Sequence, residues 1–119
     1  MTNPVVIAAA RRTPIGSFQG QFARLSAHQL GSAAIGAVVQ DGPVDADQVS
    51  EVIMGCVLPA GQGQAPARQA ALGAELPLQV GCTTINKVCG SGLKAVMQAH
   101  DALLAGSAEV VVAGGMESM

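Results

Sequence analysis

Apolar and polar positions fall along this chain in blocks whose periods separate strands from helices. Residues 5–10 (VVIAAA) form an unbroken apolar run, the pattern of a strand buried on both faces. Arg11-Arg12-Thr13-Pro14-Ile15-Gly16 ends it, since Pro and Gly both interrupt there. Ser26 with Gln29 three positions on has the form of a capping box. Behind it Leu30, Ala34 and Val38 recur at helical spacing, which predicts a helix over residues 27–40 stopped by Asp41-Gly42-Pro43. Residues 49–58 (VSEVIMGCVL) read as a second strand and residues 59–64 as a flexible loop. Pro66 suits the first turn of a short helix reaching residue 72, with Gly73 as its stop. Residues 80–85 read as a more polar strand, and residues 90–105 as a long helix closed by Gly106. A strongly apolar strand, residues 109–115 (EVVVAGG), comes last, and its β-branched run reads as central in a sheet. Four strands alternating with three helices predict crossover units and a mostly parallel sheet covered by helices, an α/β fold.

Composition narrows what such a fold can do. The chain has 119 residues, room for one domain. Half of them are hydrophobic and 12% charged, which excludes disorder. Phe18 and Phe22 are the only aromatic rings, so the core is aliphatic, with 15 glycines available for close backbone contacts. The net charge is −2 and the six Lys and Arg are scattered, so neither nucleic acid nor a membrane is an expected partner. No apolar run reaches the ~18 residues of a membrane span, and the start lacks a basic targeting region. Cys56, Cys82 and Cys89 include no C-x-x-C pair and no His at metal-ligand spacing, so no metal site is expected. An odd cysteine count without a signal peptide fits a reducing, cytoplasmic setting.

Chemistry concentrates in Asn86-Lys87-Val88-Cys89-Gly90-Ser91-Gly92. A cysteine stands at a strand-to-helix turn whose glycines let the backbone bend sharply. Helix N–H groups and the helix dipole favour negative charge there, the setting of a nucleophilic thiolate. The other reading of Cys89 is a small residue packing a tight turn. The same stretch, Gly90-Ser91-Gly92-Leu93-Lys94-Ala95, also meets the G-x-G-x-x-G/A dinucleotide fingerprint through Gly90 and Gly92. Its preceding strand is more polar than such folds use, and neither Glu109 nor Glu117 stands where the ribose-binding acid belongs. A nucleophile needs a base, and this stretch supplies none. His100 lies eleven residues after Cys89 on the same predicted helix, roughly 16 Å away at 1.5 Å per residue. It shares a stripe with Leu93, Met97 and Leu104, which predicts a packed or half-buried structural histidine. His28 reads as exposed in the first turn of its helix. Cys56 and Cys82 read as small core or near-core residues, and Lys87, Arg11, Arg12 and Arg68 as solvated charges.

The stretch around Cys89 resembles the thiolase family, and three further blocks share the resemblance in family order: Ala9-Ala10-Arg11-Arg12-Thr13-Pro14-Ile15-Gly16, Gly61-Gln62-Gly63-Gln64-Ala65-Pro66-Ala67-Arg68-Gln69 and Val111-Val112-Ala113-Gly114-Gly115-Met116-Glu117-Ser118-Met119. Gly16-Ser17-Phe18-Gln19-Gly20 is more similar to the biosynthetic branch of that family. The resemblance implies a layered α/β/α fold in which the cysteine matching Cys89 attacks an acyl-coenzyme A thioester and carries the acyl group. Its backbone N–H would help hold the developing oxyanion. A second acetyl-CoA would then attack the acyl-enzyme to give acetoacetyl-CoA, or the reaction would run in reverse as thiolysis. Coenzyme A thioesters are then substrates, and no separate cofactor is expected.

The family also uses a Gly-His-Pro motif whose His activates the nucleophile, an Asn-Glu-Ala-Phe motif and a C-x-G motif with an acid/base cysteine. None occurs in these residues. The resemblance therefore implies that residues 1–119 are an incomplete N-terminal half-domain, inactive alone. Its coenzyme A-binding loop region and C-terminal half would lie in a remaining polypeptide, and the full-length enzyme would be a homo-oligomer. Two other readings stay open: a non-catalytic module that assembles with a complementary chain, and a dinucleotide-binding module at Gly90 and Gly92.

Overall fold

A computed structural model describes residues 3–119. The elements run α1 (Ala27–Asp41), a 3-10 turn (Ala46–Gln48), β1 (Glu51–Gly55), α2 (Pro66–Gly73), β2 (Gly81–Ile85), α3 (Ser91–Ala105) and β3 (Val111–Gly115). The three strands make one parallel sheet in the order β2-β1-β3. The chain steps from β1 through α2 to β2 on one side, then from β2 through α3 past β1 to β3 on the other. Right-handed crossovers in opposite directions put their helices on opposite faces, and α2 with α1 lies against one face while α3 lies against the other. The layers are α/β/α, as the alternation of periods predicts. No helix among the described residues is long and apolar enough to cross a membrane.

Local signals act as their chemistry requires. Ser26 Oγ accepts Gln29 N at 3.2 Å while Gln29 Oε1 accepts Ser26 N at 2.8 Å, closing the capping box that starts α1. Pro66 opens α2, and Gly106 ends α3 at φ +80°, a conformation glycine adopts without penalty. Along β1 the side chains alternate: Val52 and Met54 join Ile35, Ala67, Ala70 and Met116 on the α1/α2 face. Ile53 meets Ala95 and Ala99 of α3 on the other.

Four expectations need correction. Residues 5–10 form no strand. Val6 and Ile7 are exposed, and the segment instead passes the end of α1, where Arg11 pairs with Asp41 and Ala9 lies beside Gly42. An apolar run becomes a strand only where it pairs with a ladder, and residues 5–10 pair with none of the three strands. Among the described residues the sheet thus has three strands, and β3 is at its edge, not its centre. The deepest row of α1 is Ala27, Gly31 and Ile35 rather than Leu30, Ala34 and Val38. Gly31 sets that choice, because a Cβ there would lie 2.6 Å from Met116 Sδ and 3.2 Å from Ala70 Cβ. On α3 the buried row is Ser91, Ala95 and Ala99, so Leu93, Met97, His100 and Leu104 face outward. Small residues win the inner position because they let helix and sheet approach closely.

Candidate active site

Parallel strands end together, and the segments that follow them converge at the carboxyl edge of the sheet, where α/β folds gather their functional loops. Here those segments are Cys56 to Leu58 after β1, Asn86 to Gly90 after β2, and Met116 with Glu117 after β3. The first turn of α3 sits almost directly on the strand ends. A Cβ on Gly55 would lie 2.5 Å from Ser91 C and 2.8 Å from Gly92 N, and one on Gly115 would lie 3.0 Å from Gly92 Cα. Glycines at 55, 92 and 115 therefore serve this close approach. Gly92 of the G-x-G-x-x-A stretch has a packing reason, and the stretch follows an edge strand, β2, instead of a central one.

Cys89 is exposed on the turn into α3, as its sequence context predicts. The turn before it is strained: Val88 has φ +49°, which for a β-branched residue costs on the order of 1–3 kcal/mol. Side chains on either side of it hold that geometry. Asn86 Oδ1 accepts Val88 N at 2.8 Å. The buried Ser91 hydroxyl accepts Lys87 N at 2.8 Å and donates to Val88 O at 2.6 Å. Cys89 thus rides on a braced turn at the start of a 15-residue helix, where the dipole favours an anion.

Neither histidine joins it. His100 is exposed near the far end of α3, its Nδ1 3.6 Å from Asp101 Oδ1, so it is not the packed residue its stripe implies. His28 is half-buried and lines a shallow groove with Ser32, Gln69 and Leu72 between α1 and α2. Cys56 is a core residue, 1% exposed. Burial first, and then the Glu117 carboxylate, push its thiol up against the opposing hydrogen bond from the Leu58 backbone, so it stays a neutral thiol. Cys82 is half-buried, as expected of a residue near the core. Arg68 is not a solvated charge: its guanidinium donates to Val80 O at 2.8 Å and Leu78 O at 2.7 Å, fixing the entry to β2. No group of His, Cys, Asp and Glu among the described residues could hold a metal ion.

Sequence reading missed two residues of this edge. Glu117 Oε1 accepts Val57 N at 2.7 Å and Oε2 accepts Leu58 N at 2.9 Å, so β3 ties down the segment after β1. Asn86 also donates from Nδ2 to Val57 O at 3.2 Å. An Asn two residues before a turn amide is a known local signal and points to Asn86. Nothing local marks Glu117, whose partners lie about 60 positions away.

Comparison with known proteins agrees with this architecture. Residues 5–119 match the family described as thiolase, N-terminal domain. A mitochondrial acetyl-CoA acetyltransferase B of Xenopus laevis is 61% identical over 117 residues, covering 98% of this chain and 28% of that protein. An acetyl-CoA acetyltransferase of Cupriavidus necator is 57% identical over 119 residues, covering 100% of this chain and 30% of that protein. Among solved structures, the Acat5 thiolase of Ascaris suum in complex with coenzyme A superposes with a TM-score of 0.88 at 39% identity. That match covers 91% of this chain and 28% of the Ascaris one. The chain spans less than a third of the length of the relatives it matches.

Proposed function

Since the chain belongs to the thiolase family, we propose that it carries the acyl-accepting half of an acetyl-CoA acetyltransferase site, with Cys89 as the nucleophile. Cys89 Sγ attacks the thioester carbonyl of acetyl-CoA, a new carbon–sulfur bond forms, and the bond to coenzyme A breaks as its thiolate leaves and takes up a proton. A second acetyl-CoA, deprotonated at its methyl carbon, attacks the acyl-Cys89 carbonyl. Acetoacetyl-CoA forms and Cys89 is freed; the same steps reversed are thiolysis. The Cys89 N–H at the start of α3 would bind the oxyanion of each tetrahedral intermediate. The bases for both deprotonations would come from the remaining polypeptide, in keeping with the lack, among the described residues, of any hydrogen bond or ion pair between Cys89 and His28 or His100.

The observation that carries this reading is an exposed cysteine on a braced strand-to-helix turn at the carboxyl edge of a parallel sheet. Thiolysis of acetoacetyl-CoA by the full-length polypeptide is the test. Cys89→Ala is expected to lower kcat by about 10³-fold or more; an alanine variant of undiminished rate would sink the assignment. A second reading, a non-catalytic assembly module, draws on the outward apolar face of α3, where Leu93, Met97 and Leu104 are exposed. It predicts binding of the remaining polypeptide in sedimentation together with an active Cys89→Ala variant.

A further inference from the structure

The strained turn at Val88 is connected to β3 by a continuous chain of hydrogen bonds. Its central link is the single peptide unit between Val57 and Leu58. The N–H of that unit, on Leu58, donates to Glu117 Oε2 at 2.9 Å. Its carbonyl, on Val57, accepts Asn86 Nδ2 at 3.2 Å. Asn86 Oδ1 in turn accepts Val88 N at 2.8 Å, one residue before the nucleophile. Glu117 Oε1 takes Val57 N as well, at 2.7 Å, so the carboxylate clamps two successive amides. A charged acceptor polarises the peptide it binds and strengthens the carbonyl at the other end as an acceptor. Asn86 suits its place because the path needs a donor and an acceptor on one short side chain; Asp lacks the donor and Ala lacks both.

We propose that Glu117 and Asn86 are positioning residues for Cys89, acting as one path through the Val57–Leu58 peptide. The inference rests on the proposed role of Cys89 and deepens it. Neither residue touches the reacting atoms. Glu117 holds the peptide, the peptide orients the Asn86 amide, and Asn86 keeps Val88 in its left-handed conformation. Cys89 is thereby presented at the first turn of α3. Without the path, Val88 relaxes toward an ordinary backbone conformation and the thiol leaves its place at the helix terminus.

Two measurements test it. The first is the rate of iodoacetamide alkylation of Cys89 in the chain, read by peptide mass so that Cys56 and Cys82 are scored separately, with far-ultraviolet circular dichroism reporting the fold. Asn86→Ala and Glu117→Ala are each expected to slow Cys89 by about tenfold. Because they act on one path, the double variant should be no slower than the slower single one. If Glu117→Ala loses its helical signal, Glu117→Gln takes its place; it keeps one acceptor oxygen and should show a smaller slowing. A Glu117 variant that folds and alkylates at the parental rate overturns the proposal, and so does a double variant whose slowing is the product of the singles. The second measurement is acetoacetyl-CoA thiolysis by the full-length polypeptide, where the same substitutions should lower kcat and leave KM unchanged. A rise in KM at constant kcat overturns the positioning role. Thiolysis that never depends on Cys89 removes the enzymatic reading instead, and the alkylation result then still decides whether the path exists.

Discussion

Val52 and Met54 point from β1 into a layer where α1 and α2 already grip one another, while Ile53 points the opposite way and meets only Ala95 and Ala99 of α3. The first face closes on itself with Ile35, Cys56, Leu76 and Met116. The second is docked by small residues at close range and leaves its bulky side chains outside: Leu93 is 70% and Leu104 57% exposed. The contrast separates two uses of apolar sequence. On the α1/α2 side it is spent on burial, which stabilises the fold at roughly 25 cal/mol per Å². On the α3 side closeness matters more than bulk, because contact at Gly55, Gly92 and Gly115 sets where the turn bearing Cys89 stands. The high apolar fraction of the chain thus exceeds what its own core uses.

Substitutions on the two faces should separate these roles. Ile35→Ala removes one of the largest fully buried side chains and should cost about 2–4 kcal/mol in urea unfolding. Met97→Ala on the outer face of α3 should stay within about 0.5 kcal/mol in the same measurement. Equal losses from the two would erase the distinction between the faces. Gly55→Ala should cost about 1–3 kcal/mol, because its new Cβ meets the backbone of Ser91 and Gly92, which cannot swing aside as a side chain can. It should also change the alkylation rate of Cys89, whereas Ile35→Ala, in a chain that remains folded, should not. An unchanged Cys89 rate in Gly55→Ala would mean that the docking of α3 does not set the turn.

The smallest expected effect concerns Cys56. Its folded pKa is raised, so above the ordinary thiol value the unfolded chain releases a proton that the folded chain keeps. The stability it contributes is complete below that value and is lost as pH rises through the folded pKa. The advantage of the parent over Cys56→Ala in unfolding curves should therefore shrink as pH rises above the ordinary thiol value. An advantage that stays constant across that rise would remove the buried thiol from the account.

Much of the fold is legible one segment at a time. Ser26 with Gln29, Pro66 and Gly106 mark helix ends through contacts a few residues long, and each operates in the structure. The turn at Cys89 is legible for the same reason. Residues 5–10 show the limit: the apolar run is plain, but a strand also needs a partner edge, and that is not a local property. The same holds for α3, where a 3.6-residue period groups Leu93 with Met97 and Leu104 without saying which stripe faces the sheet. At the site, Cys89 stands out by its neighbours and Asn86 by its spacing from Val88. Arg68 and Glu117 do not, because a carbonyl of Val80 or an amide of Leu58 becomes their partner only after the sheet has formed.

By itself, then, the sequence determined the order of helices and strands from α1 onward, the parallel α/β class and the exposed cysteine on its glycine-flanked turn. These follow from backbone preferences and hydrophobic periods, which act over a few residues. Tertiary structure alone decided that residues 5–10 stay out of the sheet, that β3 lies at its edge and that α3 turns its small residues inward. It also decided that Glu117 reaches the turn of Cys89 through one peptide unit. Each of these choices depends on which groups are brought within hydrogen-bonding or van der Waals distance across long stretches of chain, about 60 residues for Glu117, a separation at which no local pattern carries the information.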